Sequence, residues 1–210
     1  FAYGADVAHY EGFVDYFSKI NPRTINFGCG GTGPIIQKGI FSEYVKKIKP
    51  SYVIWNLNLG NDINSDLPTE LKSFYKNYLN DNFSQNLINN QSEIDKIYKE
   101  YWIKFVDIKN DKLSKKNFEK KNIEFTDILK LKTLRNFLGL NFSFSSSSFE
   151  TLKSILYTVK AETNSWNGEL IINVIPSQIK YISKFHLLDY DSYNDRLFNF
   201  LEKNNFNYIN

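Results

Sequence analysis

The sequence predicts a doubly wound α/β domain built on a parallel sheet. Three observations carry this reading. Apolar residues Val7, Tyr10, Val14 and Phe17 recur at helical spacing, and a second helix is predicted behind Pro34. Ser51 to Leu57 is a nearly continuous apolar run, as in a strand buried on both faces. Between them lies a glycine-rich loop, so the first third reads helix, strand, loop, helix, strand, the rhythm of parallel strands joined by crossover helices.

Each element has a local cause. The first helix, Val7 to Ile20, is closed by Asn21-Pro22. Arg23 to Phe27 is predicted as a short strand. Gly28-Cys29-Gly30-Gly31-Thr32-Gly33 requires a tight loop. Pro34 suits the first turn of a helix running to about Ile48, which Pro50 stops. The middle of the chain is helical: Pro68 to Leu79, Gln91 to about Ile108, and Phe125 to Leu138, ended by Gly139. Asn141 to Phe149 reads as a Ser/Phe-rich loop, and its run Ser145 to Ser148 as linker or helix start rather than nucleophile. Residues 64–148 are therefore expected as a helical insertion. The α/β rhythm resumes with a helix at Glu150 to Thr163, a strand at Glu169 to Ile175, a helix at Asp191 to Lys203 and a strand from Phe206.

Composition narrows the function classes. The 210 residues suit one domain. The excess of Asn, Lys, Ile, Phe and Tyr reads as AT-rich coding bias. A net charge of +3 is weak for a nucleic-acid binder, and the densest basic run, Lys109 to Lys121, is interrupted by Asp111 and Glu119 and reads as a solvated surface. One cysteine, Cys29, excludes an internal disulfide framework and reads as a small packing residue. No stretch approaches the roughly 18 apolar residues of a membrane span. No ligand cluster implies a metal or cofactor.

Two loops concentrate the chemistry, each expected at the carboxyl end of a strand, where open α/β sheets place ligands. One is Asn26 to Pro34; the other is Asn56-Leu57-Asn58-Leu59-Gly60-Asn61-Asp62. The first could cradle a phosphate at a helix N-terminus, but it lacks the dinucleotide spacing and a following Walker lysine. It also fits a plain βα turn, and Asn61-Asp62 fits an Asx turn with a helix cap. Taken together, an asparagine amide and a glycine N–H from neighbouring loops give two donors for a developing oxyanion.

In these loops the sequence resembles the SGNH/GDSL-type hydrolases, serine esterases with four sequence blocks. Phe1-Ala2-Tyr3-Gly4 resembles the tail of the first block, Asn26 to Gly31 the second, and Leu59-Gly60-Asn61-Asp62 the third, with Leu59 departing from the usual glycine. The resemblance implies a flavodoxin-like three-layer α/β/α fold with sheet order 2-1-3-4-5, its first strand largely missing from a domain truncated at both ends. It implies ester hydrolysis on acyl or O-acetyl groups of a carbohydrate or lipid, with no cofactor. Gly31 would supply an oxyanion N–H and Asn61 an oxyanion side-chain donor, while Asp62 would fix the loop. The family's serine would precede Phe1 and its Asp-x-x-His block would follow Asn210. The 210 residues alone would then be inactive and poorly stable, and the absence of Met together with the Phe1 start agrees with missing N-terminal sequence. Asp6-Val7-Ala8-His9 has the spacing of that last block at the wrong end, and His186 has no Asp three residues before it. An acyltransferase on the same site, or a non-catalytic ligand-binding domain of the same fold, remain the alternatives. The insertion would cover the pocket, with Phe74, Tyr75, Tyr78 and Trp102 mostly core and partly pocket wall.

Overall fold

Alternation along the strands fixes where the core sits. In the computed structural model, which describes residues 11–113, 146–177 and 188–210, β1 (Tyr52–Asn58) pairs in parallel with β2 (Glu169–Ile175), from Tyr52 opposite Glu169 to Asn58 opposite Ile175. β3 (Asn207–Ile209) pairs in parallel with the other edge of β2. Trp55 and Leu57 on β1 and Leu170, Ile172 and Val174 on β2 are buried, while Tyr52 is 63% and Ile54 40% exposed. The expectation that Ser51 to Leu57 is buried on both faces is corrected: its apolar residues fill one face only.

The helices explain this one-sidedness. Among the described residues the α-helices are α1 (Phe13–Ile20), α2 (Pro34–Ile40), α3 (Lys46–Ile48), α4 (Leu67–Glu70), α5 (Gln91–Leu113), α6 (Ser146–Ser165) and α7 (Leu188–Lys203). Ile35 of α2, Leu152, Ile155, Leu156 and Val159 of α6, and Leu197 and Leu201 of α7 share one core cluster with the buried strand residues. Residues of α2, α6 and α7 thus join the buried face of the sheet in one core cluster, and the fold is mixed α/β with a parallel three-stranded sheet.

Several boundaries differ from the sequence expectation for local reasons. Pro34 to Ile48 is helical throughout, but its centre, Phe41–Val45, widens into a π-helical turn. Lys49 then turns left-handed (φ 51°) ahead of Pro50 and stops it. Arg23 to Phe27, expected as a strand, is irregular: among the described residues it has no ladder partner, and a strand exists only by pairing. Pro68 to Leu79 is not one helix. After α4, the Ser73 hydroxyl accepts the Tyr75 N–H, and the chain restarts as a 3₁₀-helix over Phe74–Leu79. Nor does the loop expected at Asn141 to Phe149 extend to Phe149, because α6 starts at Ser146 and buries Ser148 and Phe149. The helix expected at Phe125 to Leu138, the opening Phe1 to Gly4, His9 and His186 lie outside the described residues.

Residues 71–90 form an arm across the helix that follows Pro34. Buried Lys38 donates from Nζ to the Tyr78 carbonyl and pairs with Asp81 at 2.6 Å. The buried Glu43 carboxylate accepts from Tyr78 Oη, Ser84 Oγ and the Leu87 N–H. Of the four aromatics expected mostly in the core, only Tyr78 is buried. Phe74, Tyr75 and Trp102 are exposed. No described helix is long and apolar enough to cross a membrane.

Candidate oxyanion site

The glycine loop begins with a side-chain turn: Asn26 Oδ1 accepts the Gly28 N–H at 2.8 Å. Thr32 Oγ1 then donates to the Cys29 carbonyl at 2.9 Å, curling the backbone. Gly31 has φ 75°, a left-handed conformation that glycine takes without steric cost. It is exposed, and among the described residues its N–H has no hydrogen-bond partner. Cys29, expected as a packing residue, is instead an exposed free thiol, because this loop stands out from the core.

Behind the loop, the N-terminus of α2 is already occupied by a carboxylate. Glu70 Oε1 accepts the Gly33 N–H at 2.7 Å and Oε2 accepts the Ile35 N–H at 2.9 Å. A long-range acidic cap therefore sits where the phosphate reading would place its ligand. The cap also dictates Gly33. A Cβ there would stand 2.6 Å from Asp66 Cβ and 2.9 Å from either Glu70 carboxylate oxygen.

The second loop leaves the carboxyl end of β1 in a chain of short turns. Asn58 Oδ1 accepts the Gly60 N–H at 2.8 Å, and Asp62 Oδ2 accepts the Asn58 N–H at 2.9 Å. Buried Asp62 thus holds the loop. Burial pushes its carboxyl up to about 7, partly offset by the Asn58 N–H and reinforced by neighbouring Asp66. The next turn is π-helical over Asp62–Asp66, with the Asp66 N–H donating to the Asn61 carbonyl at 3.0 Å. That i to i+5 closure brings the two side chains together, and Asn61 Nδ2 donates to Asp66 Oδ2 at 2.6 Å. Ser65 Oγ donates to the Asn61 carbonyl (2.9 Å) and to Asp66 Oδ1 (3.0 Å).

Asp66 and Glu70 thereby stitch the two loops together. Asp66 packs against Gly33 and holds the Asn61 amide, while Glu70 holds the Gly33 and Ile35 amides. Gly31 lies two residues ahead of that junction. Ser177, just beyond β2, completes the same edge of the sheet, its Oγ 3.6 Å from where a Gly60 Cβ would stand. Sequence reasoning singled out Gly31, Asn61 and Asp62 but missed Asp66 and Glu70. The available signal was their spacing, Asp62, Asp66 and Glu70 at steps of four along a helical stretch.

Chemically, the arrangement offers hydrogen-bond donors. Asn61 has a second N–H besides the one given to Asp66, and Gly31 has its backbone N–H. Among the described residues no group of three or more His, Cys, Asp or Glu is arranged to hold a metal ion. Two clefts, about 400 Å³ beside Lys46, Lys49 and Ser84 and about 550 Å³ beside Leu71, Lys76 and Leu79, run along the arm, and neither is lined by Gly31 or Asn61. No family model matches this chain, nor does any curated protein or solved structure.

Proposed function

We propose that this chain forms the oxyanion-binding part of a serine ester hydrolase of SGNH/GDSL type, acting on acyl or O-acetyl esters. One observation carries the reading: the Asn61 amide, at the carboxyl end of β1, is held by the same Asp66 that packs against the glycine loop. In this reading β1, β2 and β3 are the last three strands of a flavodoxin-like 2-1-3-4-5 sheet, and residues of about 64–148 are an insertion over the site. Gly31 N–H and the Asn61 amide stabilise the negative oxygen that forms when a serine attacks the ester carbonyl. The reading assigns neither that serine nor its Asp-x-x-His partner to a residue named here.

The test is Asn61→Ala in the gene product that spans this chain, with p-nitrophenyl acetate as substrate. Loss of one such donor costs about 3–4 kcal/mol, so kcat is expected to fall roughly 10²–10³-fold with little change in KM. Turnover equal to that of the unmodified protein removes the assignment.

A further inference from the structure

Resting on the ester hydrolase reading, we propose that Asp66 is a positioning residue that sets the orientation of the Asn61 amide, leaving one N–H of residue 61 for the substrate oxygen.

The argument begins with what an asparagine amide can do. Its two ends, oxygen and nitrogen, have nearly the same shape, and a half-turn about the last side-chain bond exchanges a donor for an acceptor. In an oxyanion site the wrong orientation is worse than an empty one, because it presents a second negative dipole to the developing charge. A neighbour able only to accept removes the ambiguity. The Asp66 carboxylate is such a neighbour, and Asn61 Nδ2 donates to it at 2.6 Å. An amide nitrogen has two hydrogens on opposite sides of its C–N bond, so the one not given to Asp66 points elsewhere.

Asp66 is in turn held on three sides. Its N–H is tied to the Asn61 carbonyl, so the clamp and the clamped residue share one π-helical turn. Its Oδ1 accepts from Ser65 Oγ at 3.0 Å. Its Cβ lies where any Gly33 side chain would go, which ties its position to the glycine loop that carries Gly31. The Ser65 and Asp66 N–H groups both donate to the Asn61 carbonyl at 3.0 Å, so the turn closes at i+4 and i+5 together. The i+5 closure holds the backbone of residue 66 beneath residue 61, and the Asp66 carboxylate lies beside the Asn61 amide.

The experiment is a double-mutant cycle on Asn61 and Asp66 in the gene product spanning this chain, with p-nitrophenyl acetate, plus ¹⁵N–¹H spectra of the side-chain amides. Asp66→Ala is expected to lower kcat about 10- to 100-fold with KM changed less than about twofold, the scale of a misplaced catalytic group. Asp66→Asn keeps an acceptor but restores the ambiguity, so its kcat is expected between the two. In the Asn61→Ala background, Asp66→Ala should lower kcat no further. The Asn61 amide signals, assigned by their absence in Asn61→Ala, should shift in both Asp66 variants. Equal losses in the two backgrounds, or unmoved Asn61 signals, overturn the inference. Should Asp66→Ala fail to fold, the isosteric Asp66→Asn supplies the same comparisons. If Asn61→Ala is harmful and the Asp66 variants are not, only this inference fails. If the unmodified protein and Asn61→Ala are equally inactive, the ester hydrolase reading fails and takes the inference with it.

Discussion

Asp62 is 3% exposed and accepts one backbone hydrogen bond, from Asn58, so its charged form is poorly solvated and its carboxyl titrates near 7 rather than at its ordinary 3.8. A folded-state value above the unfolded one means the contribution to stability is full below pH 4 and is lost as pH rises through 7. Glu70 shifts in the same direction, chiefly through burial. Glu43 goes the other way: burial alone would raise it, but the Leu87 and Gln85 N–H groups and the Ser84 and Tyr78 hydroxyls hold it below its ordinary 4.5, so its contribution is lost in acid. The protein is therefore expected to be most stable in mildly acidic solution. The unfolding free energy from urea titration should fall from pH 5 to pH 8 by an amount on the order of a few kcal/mol, and Asp62→Asn should flatten that slope. Parallel slopes for the two proteins would contradict the assignment. At this scale the sequence offers Asn61 as a candidate, behind a strand and a glycine, while an Asx turn accounts for the same residue. It gives no sign of the Asn61–Asp66 hydrogen bond, which forms across a turn that no residue pattern announces.

Among the elements, the helix behind Pro34 shows how much of a cap can come from far away. Pro34 and Pro50 mark its span in the sequence, and the span is observed. Its N-terminal donors are satisfied by Glu70, 35 and 37 residues distant, which local reading of capping residues has no means to find. Removing that carboxylate leaves two buried N–H groups unpaired, each costing about 1–3 kcal/mol. Glu70→Ala is expected to destabilise the protein by about 2–5 kcal/mol in chemical denaturation, and Glu70→Gln by about half as much, since the amide still accepts once. A loss below about 0.5 kcal/mol for Glu70→Ala would show the cap to be solvent-replaceable. The central π turn has its own consequence. Phe41 and Val45 join the core cluster while Glu43 is held by the arm, so the helix is buried on two sides.

For the molecule as a whole, parallel strands with intervening helices were legible from periodicity and from the breaks at Pro50, Gly168 and Pro176. The strand expected at Arg23 to Phe27 was not correctly legible, because strand character there depends on a neighbour rather than on the residues themselves. The same holds for burial: an apolar run does not say how many of its faces will be covered. A pair of substitutions measures this directly. Leu57→Ala, on the packed face, is expected to cost about 2–5 kcal/mol, whereas Ile54→Ala, 40% exposed on the opposite face, should cost less than about 1. Similar losses at both positions would mean that a further layer covers the second face.

The carboxylate at the head of α2 also shapes the electrostatic character of the protein. It neutralises the positive pole of that helix from within, and the net formal charge is only +3, so little far-reaching attraction draws an anion toward Gly31. On the proposed reading, a substrate there would be recognised at contact range, by the directions of individual N–H bonds. On that reading, a molecule that is neutral on arrival and gains its charge only in passing would suit such a surface; a permanent anion would give up its water shell for little in return.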